Sequence, residues 1–284
     1  MTGTNLNPAV RKPAVAGTFY PGVCRELSGY IDNFKTIKPK TDLKGKKIIG
    51  GIVPHAGYQF SGKHAAHFFN LFIHLKTGYD TIIVLHPNHT GYGPEVSVDE
   101  HSYWETPLGK IEVDRQLAKT TGFAISDTAQ KYEHSCEVIV PFIQHYFHHE
   151  TKLLPVNILD QSLNSATTTA QKLYESVKKL KKNVLVVASS DFSHFITPDQ
   201  AEKEDFLIFE QILNKNSRQL YELVKDKQLS VCGFGPIMSL MEYSKMTDSK
   251  YNATLLSKGH SGDVIPSDSV VSYASFAFYI NQYG

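Results

Sequence analysis

Four short runs of almost unbroken apolar residues constrain the fold of this chain more than any other feature of its sequence. The runs lie at 46 to 54, 80 to 87, 151 to 159 and 183 to 190. A strand with one face in water alternates apolar and polar residues, so near-continuous runs are typical of strands covered on both faces. Helix-like patterns separate the runs, at 61 to 76, 134 to 149 and 164 to 181. This alternation predicts an α/β fold with a central, mostly parallel or mixed sheet flanked by helices on both sides.

The last third of the chain follows a different pattern. Helices are predicted near 199 to 225 and 235 to 246, and late strands at 252 to 260 and 269 to 280. No internal repeat and no long Pro/Gly-rich linker divides the 284 residues. Because a chain of this length can bury one large core, we expect a single domain over residues 1–284, with its core at about 10–280.

The charge balance argues against a nucleic-acid partner. The chain carries 29 Lys+Arg against 28 Asp+Glu, and its short basic clusters at 44 to 47 and 178 to 182 are typical of solvated surface. The N-terminus lacks the apolar segment of a signal peptide, and no later segment approaches the roughly 18 apolar residues of a membrane span. We therefore expect a cytoplasmic protein with no membrane association.

Histidines and a carboxylate follow three of the predicted strands. His55 comes just after the first, His86 and His89 lie at the end of the second, and Asp191 and His194 follow the fourth. Ligands of open α/β sheets bind beyond the carboxyl ends of the strands, so these side chains are expected at one edge. Imidazoles from separate rigid strands are suited to holding a metal ion.

Two neutral imidazoles favour an anionic third ligand, and two residues can supply it. Asp191 is one candidate, and Cys232 in "VCGFGP" is the other, although a lone cysteine is more often a small buried apolar residue. Glu133 and His134 cluster with Glu137 in a second stretch, "YEHSCEVIVPF", where a metal, an anion or an outer hydrogen bond can be held. No GxGxxG, P-loop or GxSxG motif occurs in the chain.

Nine stretches of the sequence together resemble the Memo family, which includes the mediator of ErbB2-driven cell motility and the AmmeMemoRadiSam system protein B homologues. They occur in family order: "RKPAVAGTFYPG" (11–22), "PHAGYQFSG" (54–62), "HPNHTGYG" (86–93), "ETPLGKIEVD" (105–114), "EHSCEVIVPF" (133–142), "LLPV" (153–156), "SSDFSHF" (189–195), "CGFGPI" (232–237) and "VSYASFAF" (271–278). The resemblance implies a fold like that of the LigB-type class III extradiol dioxygenases, which are non-haem iron enzymes.

The resemblance also implies roles for particular residues. The family's two-histidine, one-cysteine metal site corresponds to His55, His89 and Cys232. Asp191 and His194 match residues beside the metal, and we expect His194 to act as a catalytic acid or base held by Asp191. Three further residues, Tyr58, Glu133 and His134, are expected to line the same pocket.

The implied function is metal-dependent redox chemistry with iron or copper, zinc being a further candidate. The dioxygenases complete their site with a carboxylate, whereas Cys232 supplies a softer thiolate, so dioxygenase activity does not follow from the fold. Thr90 also stands where many relatives carry a second histidine. The alternatives are a binding module for phosphotyrosine-type or other anionic peptides, and a metal-dependent hydrolase. Expected partners are a small-molecule substrate or a peptide and, by family context, an AMMECR1-like protein and a radical SAM protein.

Overall fold

The computed structural model describes residues 9–38, 41, 43–73 and 78–281. Its strands are β1 (Val10–Arg11), β2 (Lys46–Val53), β3 (Thr81–Pro87), β4 (Val96–Val98), β5 (Tyr103–Thr106), β6 (Gly109–Glu112), β7 (Ala124–Ile125), β8 (Lys152–Ile158), β9 (Val184–Ser189), β10 (His194–Ile196), β11 (Asn252–His260) and β12 (Val270–Asn281). Its α-helices are α1 (Cys24–Phe34), α2 (Tyr58–Phe69), α3 (Arg115–Thr121), α4 (Val140–Tyr146), α5 (Leu163–Leu180), α6 (Pro198–Leu213), α7 (Ser217–Asp226) and α8 (Phe234–Thr247). Short 3₁₀ helices occur at Asn70–Phe72, Glu137–Ile139 and Ser261–Asp263.

The four apolar runs form the parallel centre of the main sheet. The strand order is β10-β12-β2-β9-β3-β8-β4-β7, with β11 also paired to β12. β2, β9, β3 and β8 run parallel, whereas β12 is antiparallel to β2 and β4 is antiparallel to β8. The sheet is therefore mixed, as the sequence predicts, and its four central parallel strands all end at the same edge.

Each face of this sheet is covered by helices. Because successive side chains of a strand point to opposite faces, Ile83 and Leu85 pack with α3 and α5 to α8, while Ile82 and Val84 pack with α1, α2 and α4. Gly51 in β2 permits this packing, since a Cβ atom there would lie 2.1 Å from the Phe68 ring. The prediction of one α/β domain flanked by helices on both sides is confirmed.

Three helix predictions need correction. The pattern predicted over 61 to 76 begins at Tyr58 and ends in a 3₁₀ turn at Asn70–Phe72, and residues 74–77 lie outside the described part of the chain. The segment 134 to 149 yields only the turn Glu137–Ile139 and α4. The segment 199 to 225 is two helices, because Asn216 caps α7 by accepting a hydrogen bond from the Gln219 amide at 3.1 Å.

A second, three-stranded sheet has the order β1-β5-β6. This sheet connects the start of the described chain to the segment that precedes α4, because Arg11 of β1 donates hydrogen bonds to the Gln130 and Glu133 carbonyls. Within the described ranges, no helix combines the length and the apolar character needed to cross a membrane.

Candidate metal centre

Three histidines converge at the carboxyl edge of the parallel strands. His55 lies two residues beyond β2, His89 two residues beyond β3, and His134 just before the 3₁₀ turn Glu137–Ile139. One ring nitrogen from each of the three lies within 4.8 Å of those of the other two. Imidazole nitrogens are good ligands for transition metals, so this group can hold a metal ion.

The ring of His55 is buried and its orientation is fixed by Ser189. The Ser189 hydroxyl donates to the Ser135 carbonyl at 2.7 Å, so its oxygen is left to accept from Nδ1–H of His55 at 2.6 Å. The Nε2 lone pair of His55 is therefore available for a metal. Burial, reinforced by the nearby His134 and His89, lowers the pKa of His55 well below its ordinary value and keeps the ring neutral.

The ring of His89 is oriented by the buried carboxylate of Glu133. Nδ1–H of His89 donates to one carboxylate oxygen at 2.9 Å, and the His89 backbone amide donates to the other at 2.6 Å. Burial opposes ionisation of Glu133, but the hydrogen bonds that it accepts from His89 and from the Ser135 amide help to outweigh burial, and the pKa of Glu133 lies well below its usual value. A carboxylate behind a ligand histidine is a recurrent outer contact of metal sites, and it leaves Nε2 of His89 free.

His134 is predicted only as a pocket residue, and the structure makes it the third imidazole of the group. Its ring stacks on that of His89 with centroids 4.8 Å apart, and Phe19 covers it at 4.8 Å. Its Nδ1 lies 3.5 Å from Glu133. Burial lowers its pKa, so His134 is also held neutral. In the sequence, its position directly after Glu133 is the signal that identifies His134 as a candidate site residue.

Cys232 lies beside His55, with its Sγ 3.4 Å from Nε2 of His55. In a tetrahedral site with ordinary metal–sulfur and metal–nitrogen bonds, these two atoms would be about 3.6 Å apart. Gly233 makes the approach feasible, because a Cβ atom at this position would lie 2.3 Å from the Ser189 carbonyl oxygen. Burial and the neighbouring Asp191 carboxylate raise the pKa of the Cys232 thiol above its ordinary value, so the metal-free protein holds it protonated.

Asp191 and His194 lie close to this group but use separate hydrogen bonds. Asp191 accepts from the backbone amide of His55 at 2.8 Å, and burial raises its pKa to about 6. Nδ1–H of His194 faces the carbonyls of Phe192 and Ser230 at 2.6 and 2.8 Å. The expectation that Asp191 holds His194 therefore needs correction: backbone carbonyls orient His194, and its Nε2 lone pair is left free.

Two other histidine or aromatic candidates belong to the core. Tyr58 is buried, its hydroxyl donates to the Val138 carbonyl at 2.8 Å, and its ring packs against that of Phe142. His86 is buried within β3, where its Nδ1 lies 3.0 Å from the Ser135 hydroxyl oxygen. Both residues contact the segment that directly follows His134, and so they help to hold that segment in place.

The fold and the site define an α/β protein with a histidine-rich candidate metal centre at the carboxyl edge of its sheet. The family model described as "Memo-like protein" matches residues 11–277. A MEMO1 family protein of Methanobrevibacter smithii is 39% identical over 284 residues, covering 95% of this chain and 99% of the relative. A MEMO1 family protein of Methanosarcina mazei is 37% identical over 270 residues, covering 94% of this chain and 98% of the relative. The chain belongs to the Memo family.

A solved structure supports the fold alone. The crystal structure of uncharacterized protein JW3007 from Escherichia coli K12 aligns with a TM-score of 0.55 and 13% identity, covering 80% of this chain and 99% of that one.

Proposed function

We propose that this protein binds one transition-metal ion, iron or copper, through His55, His89 and Cys232, and that the metal carries out redox chemistry. The observation that carries the proposal is the pair of fixed tautomers: His55 and His89 each engage Nδ1 with a protein acceptor, so that each Nε2 presents a lone pair that can bind a metal. Metal-ligating histidines almost always have such outer contacts, and here both rings belong to one group whose ring nitrogens lie within 4.8 Å of one another.

The donor set fits a borderline or soft metal. Two imidazoles and a thiolate favour iron, copper or zinc over calcium or magnesium, which prefer oxygen ligands. His134 is the candidate for a fourth position, because its ring nitrogen belongs to the same group as those of His55 and His89. Bound iron or copper would supply one-electron redox chemistry at this site.

The remaining residues have proton-handling and positioning roles in this proposal. His194 is the acid or base, because its free Nε2 can take or give a proton while backbone carbonyls hold Nδ1. Asp191 fixes the backbone at His55 through its hydrogen bond to that amide. We assign this function to a single domain spanning 1–284, with its core at about 10–280.

The family context extends the proposal to substrate and partners. We propose a small-molecule or peptide substrate, action in the cytoplasm, and association with an AMMECR1-like protein and a radical SAM protein. The phosphotyrosine alternative has less support from the site, because Arg11, whose guanidinium donates to the Glu133 carbonyl, is buried and paired with Glu137 at 2.6 Å.

Metal analysis tests the proposal directly. Protein purified without chelator is expected to carry close to one equivalent of iron or copper, and His55→Ala and Cys232→Ser are expected to lose most of it. His145→Ala is a matched control, since this histidine of α4 pairs with Asp32 of α1 at 3.0 Å and its loss should leave the metal content unchanged. Full metal content in both site variants would overturn the proposed ligand set.

A voltammetric measurement separates redox chemistry from hydrolysis. The metal-loaded protein is expected to show a reversible metal couple whose potential changes in Cys232→Ser, because a thiolate donates more charge than a hydroxyl. A zinc-selective protein without such a couple would favour the hydrolase.

A further inference from the structure

We propose that Arg11 and Glu137 are positioning residues for the metal centre, acting through the N-terminal arm, which we define as residues 10–20. The arm fastens the segment that carries Glu133 and His134, so that both keep the orientation needed for metal binding. This inference rests on the proposed metal-binding function.

The guanidinium of Arg11 is buried and bonded to two backbone carbonyls of the segment before α4. Its Nε donates to the Gln130 carbonyl at 3.0 Å, and one terminal nitrogen donates to the Glu133 carbonyl at 2.8 Å. One face of the guanidinium lies over the Trp104 ring, with its carbon 4.1 Å from the ring centroid. A planar fork can reach both carbonyls and stack on the ring at once, which an ammonium group cannot do.

Glu137 holds the other end of the arm. Its carboxylate accepts from Arg11 at 2.6 Å, from the Ala14 and Val15 amides at 2.8 and 2.9 Å, and from the Tyr20 hydroxyl at 2.7 Å. Both carboxylate oxygens are thus satisfied in a fully buried position. Arg11 and Glu137 fix the whole arm against the segment 130 to 137.

The arm then reaches both sides of the centre. Phe19 packs its ring on His134 with centroids 4.8 Å apart. The Phe19 carbonyl accepts from the amide of Tyr58, the first residue of α2, three positions after His55. The same arm therefore contacts the loop of His55 and the segment of Glu133 and His134.

Positioning follows because Glu133 is held at two points. Arg11 binds its backbone carbonyl, and its carboxylate receives Nδ1–H of His89. If the carbonyl is released, the carboxylate can move away from His89, and the His89 ring loses the acceptor that fixes its orientation.

Two arm variants and one control test this inference. Arg11→Lys keeps the charge but loses the fork, and the double variant Arg11→Met/Glu137→Gln removes both charges at similar volume, so that no uncompensated buried ion remains. Lys12→Met is the control, because this residue of the same arm is exposed and its ammonium group donates to Glu105 at 2.7 Å. Circular dichroism melts establish that each variant is folded at the measuring temperature.

The first readout is Co²⁺ affinity, measured by competition with a chelator. Folded Arg11→Lys or the double variant is expected to bind Co²⁺ about 10- to 100-fold more weakly than the wild type, while Lys12→Met is unchanged. The second readout is the tautomer of His89 in metal-free protein, from long-range ¹H–¹⁵N spectra. We expect the Nδ1–H form in the wild type and a substantial Nε2–H fraction in the arm variants.

The two readouts separate the inference from the proposed function. Wild-type protein that fails to bind Co²⁺ would count against the metal-binding function, while the tautomer spectra would still decide the positioning role. Folded arm variants that keep the wild-type His89 tautomer would overturn the positioning role.

Discussion

Replacing Glu133 by glutamine is the perturbation whose effect the structure determines most completely. The carboxylate is fully buried and receives three N–H donors: the His89 amide at 2.6 Å, Nδ1 of His89 at 2.9 Å and the Ser135 amide at 3.0 Å. In Glu133→Gln one carboxylate oxygen becomes an NH₂ group, which brings a donor against at least one of these donors.

Two penalties follow from that change. A buried donor left without an acceptor costs about 1–3 kcal/mol of unfolding free energy. Loss of the outer carboxylate weakens metal binding about 10- to 100-fold, which corresponds to about 1.4–2.8 kcal/mol of binding free energy. The loss of metal affinity acts through His89, and His55 keeps its own partner, the Ser189 hydroxyl.

Chemical denaturation of metal-free protein and chelator competition with Co²⁺ measure the two penalties separately. Glu105→Gln is the matched control, because Glu105 is paired with Lys12 at the surface and its replacement should change stability by less than about 0.5 kcal/mol. Wild-type metal affinity in folded Glu133→Gln would refute the role given to this carboxylate.

Three further predictions rest on other contacts. The raised pKa of Cys232 keeps its thiol protonated at neutral pH, so metal binding should release one proton. Titration calorimetry in several buffers should therefore show a metal affinity that rises about tenfold per pH unit from pH 6 to 8 in the wild type but changes little in Cys232→Ser. Ser189→Ala removes the acceptor of Nδ1–H of His55, so we expect denaturation to show a free energy of unfolding lower by about 1–3 kcal/mol. We also expect an Nε2–H signal for His55 in ¹H–¹⁵N spectra, and an unchanged tautomer would contradict this. Gly233→Ala should lower the free energy of unfolding by about 1–3 kcal/mol, because its Cβ would lie 2.3 Å from the Ser189 carbonyl oxygen. Gly29→Ala, on the open face of α1, should raise it by up to about 1 kcal/mol. Equal melting temperatures of the two variants would contradict the close approach at Gly233.

The central strands were predictable because burial on both faces leaves a local signal. The run 80 to 87 matches β3 except for the exposed Asp80, since every side chain from Thr81 to Pro87 is buried. Short strands such as β4 and β7 have no comparable signal, because two or three residues cannot display a period. The helix predicted from 134 begins late because Glu133 and Ser135 bond to the His89 and Ser189 regions instead of to a helix.

The site was predictable in its location and less so in its contacts. Parallel strands bring their carboxyl ends together, which is why His55 and His89 could be placed near each other from sequence order. The hydrogen bond from the His55 amide to Asp191 joins residues 136 positions apart, so the local sequence pattern does not predict it. The same holds for Arg11 and Glu133, whose contact spans 122 positions.

X-ray absorption of the metal-loaded protein reports which atoms bind the ion. We expect one sulfur at about 2.3 Å and at least two imidazole nitrogens at about 2.0–2.1 Å, with the sulfur lost in Cys232→Ser. A first shell of nitrogen and oxygen alone in the wild type would contradict this expectation and would leave His55, His89 and His134 as the binding group.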